Sequence, residues 1–330
     1  MALVKTPAFR RLKEIRFLGA IDYCRIPRPN GRPRATRYSR YQHSLGVMEL
    51  ALLYCRKRRV SFPERRLVCT AALLHDIGHP PLSHSVESVF RDEFGIDHHT
   101  ATEDIICGRV PLGKDVLATL RHHGVDVEDL VAVVSGDTTR FDGFFHGPIN
   151  FDTIEGILRS YAYIQQSSTS LRPDRVTAAA TGRTSDGDRN VVDAFWMHKD
   201  WVYNNIIHSH DGVLADFVCR MFLRRNLARI ERDAFFGTEA KLFQQLPGLR
   251  DLLTSRRFED EAVRMLDEPI HYIARSYYVD QSGDFFARHD DVRYRHSRTR
   301  SVLEPKMSTD SEAIELATDS QGALFDDNGV

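Results

Sequence analysis

The sequence predicts a mainly α-helical fold, and three observations carry this prediction. Apolar residues recur at helical spacing through most of the 330-residue chain, while stretches of strand-like alternation are few. Helix boundaries are also marked, because the basic run 56–59 ends one apolar stretch and Pro63 opens the next. A composition of 42% hydrophobic and 28% charged residues is typical of a globular chain. We expect an all-α bundle with a small basic hairpin near the N terminus and additional helices near the C terminus.

The predicted helices follow one another from position 44 onward. The first, over 44–58, is rich in leucine, and the second, over 63–74, is almost wholly apolar, which places it in the centre of the core. The remaining predicted helices cover 83–94, 99–107, 113–122, 126–134, 149–165, 194–225, 238–246 and 258–278.

Two segments interrupt this helical pattern, and a third follows it. Residues 22–40 contain the turn signal Pro29-Asn30-Gly31, which predicts a basic hairpin. Residues 166–190 are rich in small and polar residues and predict a long exposed loop. The chain is therefore expected to divide into a core over 1–235 with a basic N-terminal segment at 1–41, a C-terminal helical region over 236–304, and an acidic flexible tail over 305–330.

The formal net charge of −1 conceals a strong asymmetry along the chain. Residues 1–60 hold 15 Lys and Arg against 3 Asp and Glu, whereas residues 304–330 hold 1 against 7. The total argues against a globally basic nucleic-acid coat. No apolar run approaches the roughly 20 residues of a membrane span, so we expect a cytoplasmic protein that does not enter a membrane. The five cysteines contain no C-x-x-C pair, which argues against zinc-ribbon and thioredoxin chemistry.

The histidines point to a metal site. Nine of the fifteen lie between His43 and His146, and imidazole is a common ligand of transition metals. The sharpest element, His75-Asp76 followed by Gly78-His79, stands where the central apolar helix is predicted to end. Such a position can direct one imidazole and one carboxylate at a single cation.

Two further residues complete a possible ligand set. His43 lies at the start of the preceding predicted helix, and Asp152 lies at the start of a later one. If these helices pack side by side, His43, His75, Asp76 and Asp152 supply two imidazoles and two carboxylates. This set suits a divalent Mn, Mg, Fe, Co, Ni or Zn ion and leaves coordination positions for water and a phosphate oxygen.

The order H…HD…D resembles the HD-domain superfamily of metal-dependent phosphohydrolases. Within it, the segments 9–15, 42–47, 71–79 and 81–84 resemble the branch that hydrolyses deoxynucleoside triphosphates to nucleoside and triphosphate. The resemblance implies a helical HD fold, a bound divalent metal, a nucleotide substrate and a homo-oligomer.

The resemblance also suggests roles for residues beside the ligand set. His79 and His84 match positions that contact phosphate near the reacting centre, and Arg40 matches a phosphate-binding arginine. His98 matches a catalytic histidine that works with an acidic partner. The family usually has Glu after this histidine, whereas this chain has His99, so the identity of the proton-transfer partner stays open.

The substrate-binding positions depart from the family pattern. After the metal aspartate the family commonly continues to an Asp-Tyr pair and then Arg-Asp, whereas this chain has Gly156 and Arg159-Ser160. Arg159 is retained as a candidate substrate contact, together with Lys199 and Tyr203 on a later helix. A nucleoside triphosphate substrate is expected, but a deoxyribose preference does not follow.

Two alternatives remain open. His98, His122 and His123 have spacings that also resemble dinuclear members of the superfamily, which include phosphodiesterases, nucleases and di-iron oxygenases and use a second metal. The basic N-terminal segment, with tyrosines among its arginines, could instead bind single-stranded nucleic acid or a nucleotide effector in a regulatory module, or form a subunit contact.

Overall fold

The computed structural model of the protein describes residues 2–24, 38–137, 149–165, 171–181, 186–266, 268–282 and 293–304. Over these residues the chain is mainly helical, with fourteen α-helices and one two-stranded antiparallel sheet, so the predicted fold class is confirmed. Among the described helices, none combines the length and the apolar character needed to cross a bilayer.

The helices and strands follow in this order: α1 Pro7–Arg11, α2 Arg40–Lys57, α3 Phe62–Leu74, α4 His84–Phe94, α5 His98–Ile106, α6 Lys114–His122, α7 Val127–Ser135, α8 Phe151–Gln165, α9 Pro173–Thr181, α10 Asp186–Val202, α11 His210–Arg225, α12 Glu239–Gln245, α13 Leu249–Thr254, α14 Phe258–Val263, β1 Ile270–Val279 and β2 Tyr294–Leu303.

Helix α3 occupies the centre of the molecule, as its apolar sequence predicts. It packs between α2 and α7, and its buried side chains belong to two different hydrophobic clusters. Val68 and Ala72 face the larger cluster, which also contains residues of α8, α10 and α11, while Leu67 and Leu74 face the smaller one. The His75-Asp76 pair follows directly after this buried helix, so its backbone is fixed by packing on both sides.

The turn that joins α3 to α4 packs tightly against the N-terminal segment and against α5. Leu82 and Ser83 adopt positive φ angles of 61° and 49°, a conformation that costs non-glycine residues energy. A Cβ atom on Gly19 would lie 2.3 Å from the Leu82 carbonyl oxygen, and one on Gly78 would lie 2.3 Å from the Thr102 nitrogen. These close approaches require glycine at both positions.

The structure corrects three of the predicted elements. The segment 166–190 is not one long loop, because α9 occupies Pro173–Thr181 and α10 begins at Asp186. The single helix predicted over 194–225 is divided by a π-helical turn at Tyr203–Ile207, after which Ser209 caps α11.

The third correction concerns the C-terminal region, which is not wholly helical. The helix predicted over 258–278 ends at Val263, and β1 then pairs with β2 in antiparallel register from Ile270↔Leu303 to Val279↔Tyr294. This hairpin is stabilised by its aromatic residues, since Tyr277 and Tyr294 pack on the buried Trp196 with ring centroids 5.3 and 5.4 Å apart.

Two of the sequence predictions fall outside the described residues. The predicted basic hairpin is described only at its ends, where the Phe17 amide donates to the Tyr38 carbonyl at 3.0 Å, and its arginines between 25 and 37 are not described. The predicted acidic tail over 305–330 also lies outside them.

Candidate metal centre and adjoining cavity

The structure brings the four predicted metal ligands together. His43 comes from the first turn of α2, His75 and Asp76 from the end of α3, and Asp152 from the first turn of α8. The Nε2 atom of His43 lies 3.0 Å from Asp152 Oδ1 and 3.4 Å from Asp76 Oδ2. The Nε2 atom of His75 lies 3.5 Å from Asp76 Oδ1 and 3.8 Å from Asp152 Oδ1.

Hydrogen bonds fix the orientation of both imidazole rings. His75 donates from Nδ1 to the Ala72 carbonyl at 2.9 Å, and His43 donates from Nδ1 to Glu155 Oε2 at 2.5 Å. Both Nε2 atoms are buried and have no hydrogen-bond partner among the described residues. Unpaired buried nitrogens are costly, and a bound cation would satisfy both lone pairs. The residues present therefore fit a divalent metal ion.

The ionisation of the site agrees with this fit. Burial alone would lower the pKa of His43, but the carboxylates of Glu155 and Asp152 outweigh it and raise that pKa to about 9. Burial would likewise raise the pKa of Asp152, but the close His43 and His75 imidazoles lower it below its ordinary value. The two ligand carboxylates are thus held as anions. A proton on His43 stands where a cation would otherwise lie, and metal binding would release it.

Glu155, which the sequence analysis did not single out, supports His43 from behind. It lies one helical turn after Asp152 and is only 5% exposed. Its Oε1 atom accepts hydrogen bonds from Arg159, whose guanidinium also stacks over the Tyr38 ring at 4.6 Å. The i, i+3 spacing from Asp152 is the sequence signal that could have identified it. Arg159, predicted as a substrate contact, is placed by the structure in this supporting pair.

Arg40 supports the opposite side of the centre. Its Nη1 atom donates to Asp76 Oδ2 at 2.7 Å, and its Nε atom donates to Ser83 Oγ at 3.0 Å. The guanidinium lies over the Phe17 ring at 4.9 Å and is nearly buried, yet it lines the cavity described below. Arg40 is therefore positioned to contact an anion next to the proposed metal.

A second histidine cluster adjoins the first through His79. The His79 Nε2 atom lies 3.3 Å from Asp76 Oδ1, and its ring stacks on that of His98 with centroids 4.3 Å apart. His84 Nδ1 and His98 Nδ1 both pair with the carboxylate of Glu87, the former at 2.9 Å. Burial would raise the pKa of Glu87, but these hydrogen bonds from the two histidines lower it well below its ordinary value.

Glu87 is the acidic partner that the sequence analysis left open for His98. It lies one turn after His84 on α4, eleven residues before His98, and it also accepts the His98 backbone amide at 2.9 Å. His99, which holds the position where the family has Glu, instead packs against His98 with the ring centroids 3.9 Å apart and the planes tilted by 37°. The carboxylate is thus supplied by a different helix.

The two clusters open into one cavity of about 410 Å³, a size typical of small-molecule sites. Its lining includes charged and imidazole groups, among them Arg40, Asp76, Asp152, His79, His84, His98 and His99. It also includes the apolar side chains of Phe17, Leu18, Ile21, Ile157, Val202 and Ile207. This combination suits a ligand that carries both anionic and less polar groups.

The other predicted site residues have different surroundings. Tyr203 lines the cavity, whereas Lys199 is only 6% exposed and lies over the rings of Trp196 and Tyr277 at 4.8 and 4.7 Å. Burial lowers the pKa of Lys199 to about 8. Lys199 thus lies behind the wall to which Tyr203 belongs.

The residues predicted for a second metal do not come together as expected. His122 and His123 are exposed at the C-terminal end of α6, because that helix buries its other face through Val116 and Leu120. Among the described residues, His98 instead forms a group with His79 and His84, whose potential ligand atoms lie within 4.8 Å of one another.

Solved structures contain the same overall fold. A hypothetical protein from Aquifex aeolicus superimposes with a TM-score of 0.66 at 17% identity, and the match covers 95% of this chain and 94% of that one. At this identity the likeness establishes the fold alone.

Sequence comparisons match most of the centre to a known family. The family model "HD domain" matches residues 40–134, which include three of the four proposed ligands. The uncharacterized protein YwfO of Bacillus subtilis is 33% identical over 135 residues, 39% of this chain and 28% of that protein. The deoxynucleoside triphosphate triphosphohydrolase SAMHD1 homolog of Dictyostelium discoideum is 32% identical over 112 residues, 32% of this chain and 20% of that protein.

SAMHD1 of Bos taurus is 22% identical over a longer stretch of 223 residues, which is 66% of this chain and 31% of that protein. The chain thus spans less than a third of the length of each of these three curated relatives. Residues 40–134 of the chain therefore match the HD-domain family, in agreement with the motifs and the helical fold described above.

Proposed function

We propose that the protein is a nucleoside triphosphate triphosphohydrolase, which cleaves the bond between the α-phosphorus and the 5′-oxygen. Water adds to phosphorus, the nucleoside leaves with a proton on its 5′-oxygen, and inorganic triphosphate is released. The observation that carries the proposal is one cavity that is lined by Asp76 and Asp152 of the ligand set, by Arg40, by four imidazoles and by apolar side chains. The similarity to proteins named deoxynucleoside triphosphate triphosphohydrolases supports the same substrate class.

The metal would be held by His43, His75, Asp76 and Asp152. When bound, such an ion supplies Lewis-acid polarisation of a phosphate oxygen and lowers the pKa of water. Glu155 and the Ala72 carbonyl hold the two imidazoles with their Nε2 atoms directed inward, so these ligands need no reorientation before they bind.

The phosphate groups would be bound by Arg40 and by the imidazoles beside it. Arg40 keeps its guanidinium in place through Asp76 and Ser83, and it still faces the cavity. Burial, together with the nearby Arg40 charge, holds the pKa of His79 well below its ordinary value, so this ring is neutral. A fixed cation and oriented neutral dipoles of this kind stabilise charge that develops on phosphate oxygens.

Proton transfer to the leaving oxygen would be carried out by His98. Glu87 accepts from Nδ1 of His98 and so fixes the orientation of the ring, which lines the cavity. This arrangement is that of a general acid whose position and tautomer are set by a buried carboxylate. His84 shares the same carboxylate and lies at the more exposed edge of the cluster.

A second candidate function rests on the grouping of His79, His84 and His98. Three imidazoles within 4.8 Å could hold a second metal next to the first, as in dinuclear phosphodiesterases and nucleases. Against this, the Nδ1 atoms of His84 and His98 are both committed to Glu87. The number of metal ions bound per chain separates the two candidates.

The test is a product analysis with a defined metal content. The purified protein, supplied with Mn²⁺, Mg²⁺, Fe²⁺ or Co²⁺, is incubated with deoxynucleoside and nucleoside triphosphates, and the products are separated by anion exchange. We expect triphosphate and nucleoside, with about one metal ion per chain. Release of orthophosphate or pyrophosphate would refute the proposed bond cleavage. Cleavage of single-stranded oligonucleotides alone, with two metal ions per chain, would select the second candidate.

The matched variants are Asp76→Ala and Asp92→Ala. Asp76 belongs to the proposed ligand set, whereas Asp92 lies on the surface of α4 and pairs with Arg224 at 3.0 Å. We expect the first variant to lose both metal and turnover and the second to retain both. Full activity of the Asp76→Ala variant would refute the assignment of the site.

The basic N-terminal segment is proposed as a binding site for a nucleotide effector or for single-stranded nucleic acid, or as a contact within a homo-oligomer. Light scattering of the protein with and without added nucleotide, together with salt-dependent binding of a labelled oligonucleotide, distinguishes these proposals.

A further inference from the structure

A third carboxylate lies in the cavity and has no role in the function proposed above. Asp216 belongs to α11 and lines the same cavity as the proposed metal centre. Among the described residues of the cavity wall, it is the only carboxylate apart from Asp76 and Asp152. It is therefore a candidate for contact with a bound substrate.

One side of the Asp216 carboxylate is fixed by the protein. Its Oδ1 atom accepts a hydrogen bond from Ser85 Oγ at 2.5 Å, and Ser85 Oγ itself accepts from the Ala20 backbone amide at 3.0 Å. Ser85 directly follows His84 on α4, so the carboxylate lies just beyond the second histidine cluster. The Oδ2 atom has no hydrogen-bond donor and no ion-pair partner among the described residues.

This environment disfavours the ionised form of Asp216 when no ligand is bound. Burial raises the pKa of the Asp216 carboxyl above its ordinary value, and the Ser85 hydrogen bond and the more distant Arg220 and His84 offset this only in part. The neighbouring wall is apolar, with Leu18, Ile21 and Ile207. A half-buried carboxylate with one open oxygen gains most from a hydrogen-bond donor that enters with the substrate.

The charge of Asp216 also decides which end of the substrate it can meet. An anionic phosphate would be repelled by a carboxylate, and the proposed function already assigns the phosphate groups to Arg40, His79 and the metal. The nucleoside, in contrast, presents hydroxyl groups on the sugar and N–H groups on the base. Both are donors that suit an open carboxylate oxygen.

We propose that Asp216 recognises the leaving group by accepting a hydrogen bond from a hydroxyl or N–H group of the nucleoside. The inference rests on the proposed nucleotide substrate and adds a specificity-determining residue to it. Because the contact is made equally before and during bond cleavage, its loss raises KM and leaves kcat nearly unchanged.

The test compares substrates that differ by one donor. Wild type, Asp216→Ala and Asp216→Asn are assayed on dGTP, on 2′,3′-dideoxyguanosine triphosphate, which lacks the sugar donor, and on 2′-deoxynebularine triphosphate, which lacks the base donors. We expect Asp216→Ala to lower kcat/KM by about 10- to 100-fold on dGTP, the range of a hydrogen bond to a charged group. On the analogue without the donor that Asp216 binds, the variant should equal wild type, which identifies that donor as sugar or base.

The controls separate contact from folding. Asp216→Asn retains an acceptor for Ser85 and should unfold at the wild-type temperature. Asp211→Asn changes a carboxylate at the start of the same helix, outside the cavity wall, and should keep wild-type kinetics.

Three results would overturn the inference. The first is an equal loss on all three substrates, the second is no loss on any, and the third is a divalent ion that wild type binds and Asp216→Asn does not. A wild type that hydrolyses none of these nucleotides would instead overturn the proposed function, and the inference with it. If wild type is active and the Asp216 variants have the same kcat/KM as wild type, the inference alone is overturned.

Discussion

Replacing Glu239 should destabilise the turn that carries the second histidine cluster, although Glu239 belongs to the C-terminal helix α12. Its side chain is 4% exposed, and it accepts three hydrogen bonds. Oε1 accepts from the Arg16 amide at 2.8 Å and the Leu82 amide at 3.3 Å, and Oε2 accepts from the Tyr23 hydroxyl at 2.5 Å. Glu239 thus ties the N-terminal segment to Leu82, which adopts the strained positive φ angle just before His84.

The expected loss follows from these contacts. Glu239→Ala would leave three donors without their acceptor at about 1–1.5 kcal/mol each, so the free energy of unfolding should fall by about 4 kcal/mol. Glu239→Gln keeps an amide oxygen for the Arg16 and Leu82 amides and loses the charge beside Tyr23, at a cost of about 1–2 kcal/mol. The two variants should therefore differ by about 2–3 kcal/mol.

The assay is urea unfolding followed by fluorescence, with Glu231→Ala as the control. Glu231 lies eight residues before Glu239 and is exposed. Its replacement should change the free energy of unfolding by no more than about 0.5 kcal/mol. Turnover should fall more in Glu239→Ala than in Glu239→Gln, because the turn that the carboxylate holds leads into His84. If Glu239→Ala and Glu239→Gln are equally stable, this reasoning is refuted, because the hydrogen bonds that only glutamine can keep would then contribute nothing to the free energy of unfolding.

Three further changes test the site. Glu155→Gln should weaken metal binding by about 10- to 100-fold, measured by competition with a chelator, because it removes the charge that orients His43; unchanged affinity would contradict that role. Glu87→Gln should lower kcat by about 100-fold or more, because His98 loses its anionic partner. A pH–rate profile identical to that of wild type would refute this role of Glu87. Lys199, whose pKa is lowered to about 8, binds fewer protons in the folded than in the unfolded state between pH 8 and about 10.5. Wild-type stability relative to Lys199→Met should therefore rise by up to about 3 kcal/mol over this range, and a flat difference in urea unfolding would refute it.

Much of the fold could be predicted because its signals are local. Helices such as α3 can be recognised from apolar residues that recur about one turn apart, and their ends can be recognised from Pro63 or from basic residues. The C-terminal hairpin could not be predicted in the same way. Ile270, Ile273 and Tyr277 recur three and four residues apart, which imitates a helix, while the β2 partner and Trp196, which stabilise the strand, lie far away in sequence.

The candidate site shows the same division between local and distant signals. His75 and Asp76 are adjacent, and their order with His43 and Asp152 is a pattern that a sequence displays directly. Their supporting carboxylates have no such order. The family pattern places an acid directly after His98, where this chain has His99, whereas the structure supplies Glu87 from another helix, a pairing that depends on how α4 and α5 pack.

The N-terminal excess of positive charge likewise acquires a different meaning in the folded chain. Arg11 is 6% exposed and donates to four carbonyl oxygens, among them those of Ile77 and His79 in the turn after the ligand pair. Arg40 is bound to Asp76, and Arg16 lies against Glu239 and Tyr23. Arg11 and Arg16 are thus committed to partners within the protein, and Arg40 is held beside the proposed metal centre. The charge asymmetry of the sequence is therefore in part a structural feature of the centre itself, because these arginines hold the turn around His75 and Asp76.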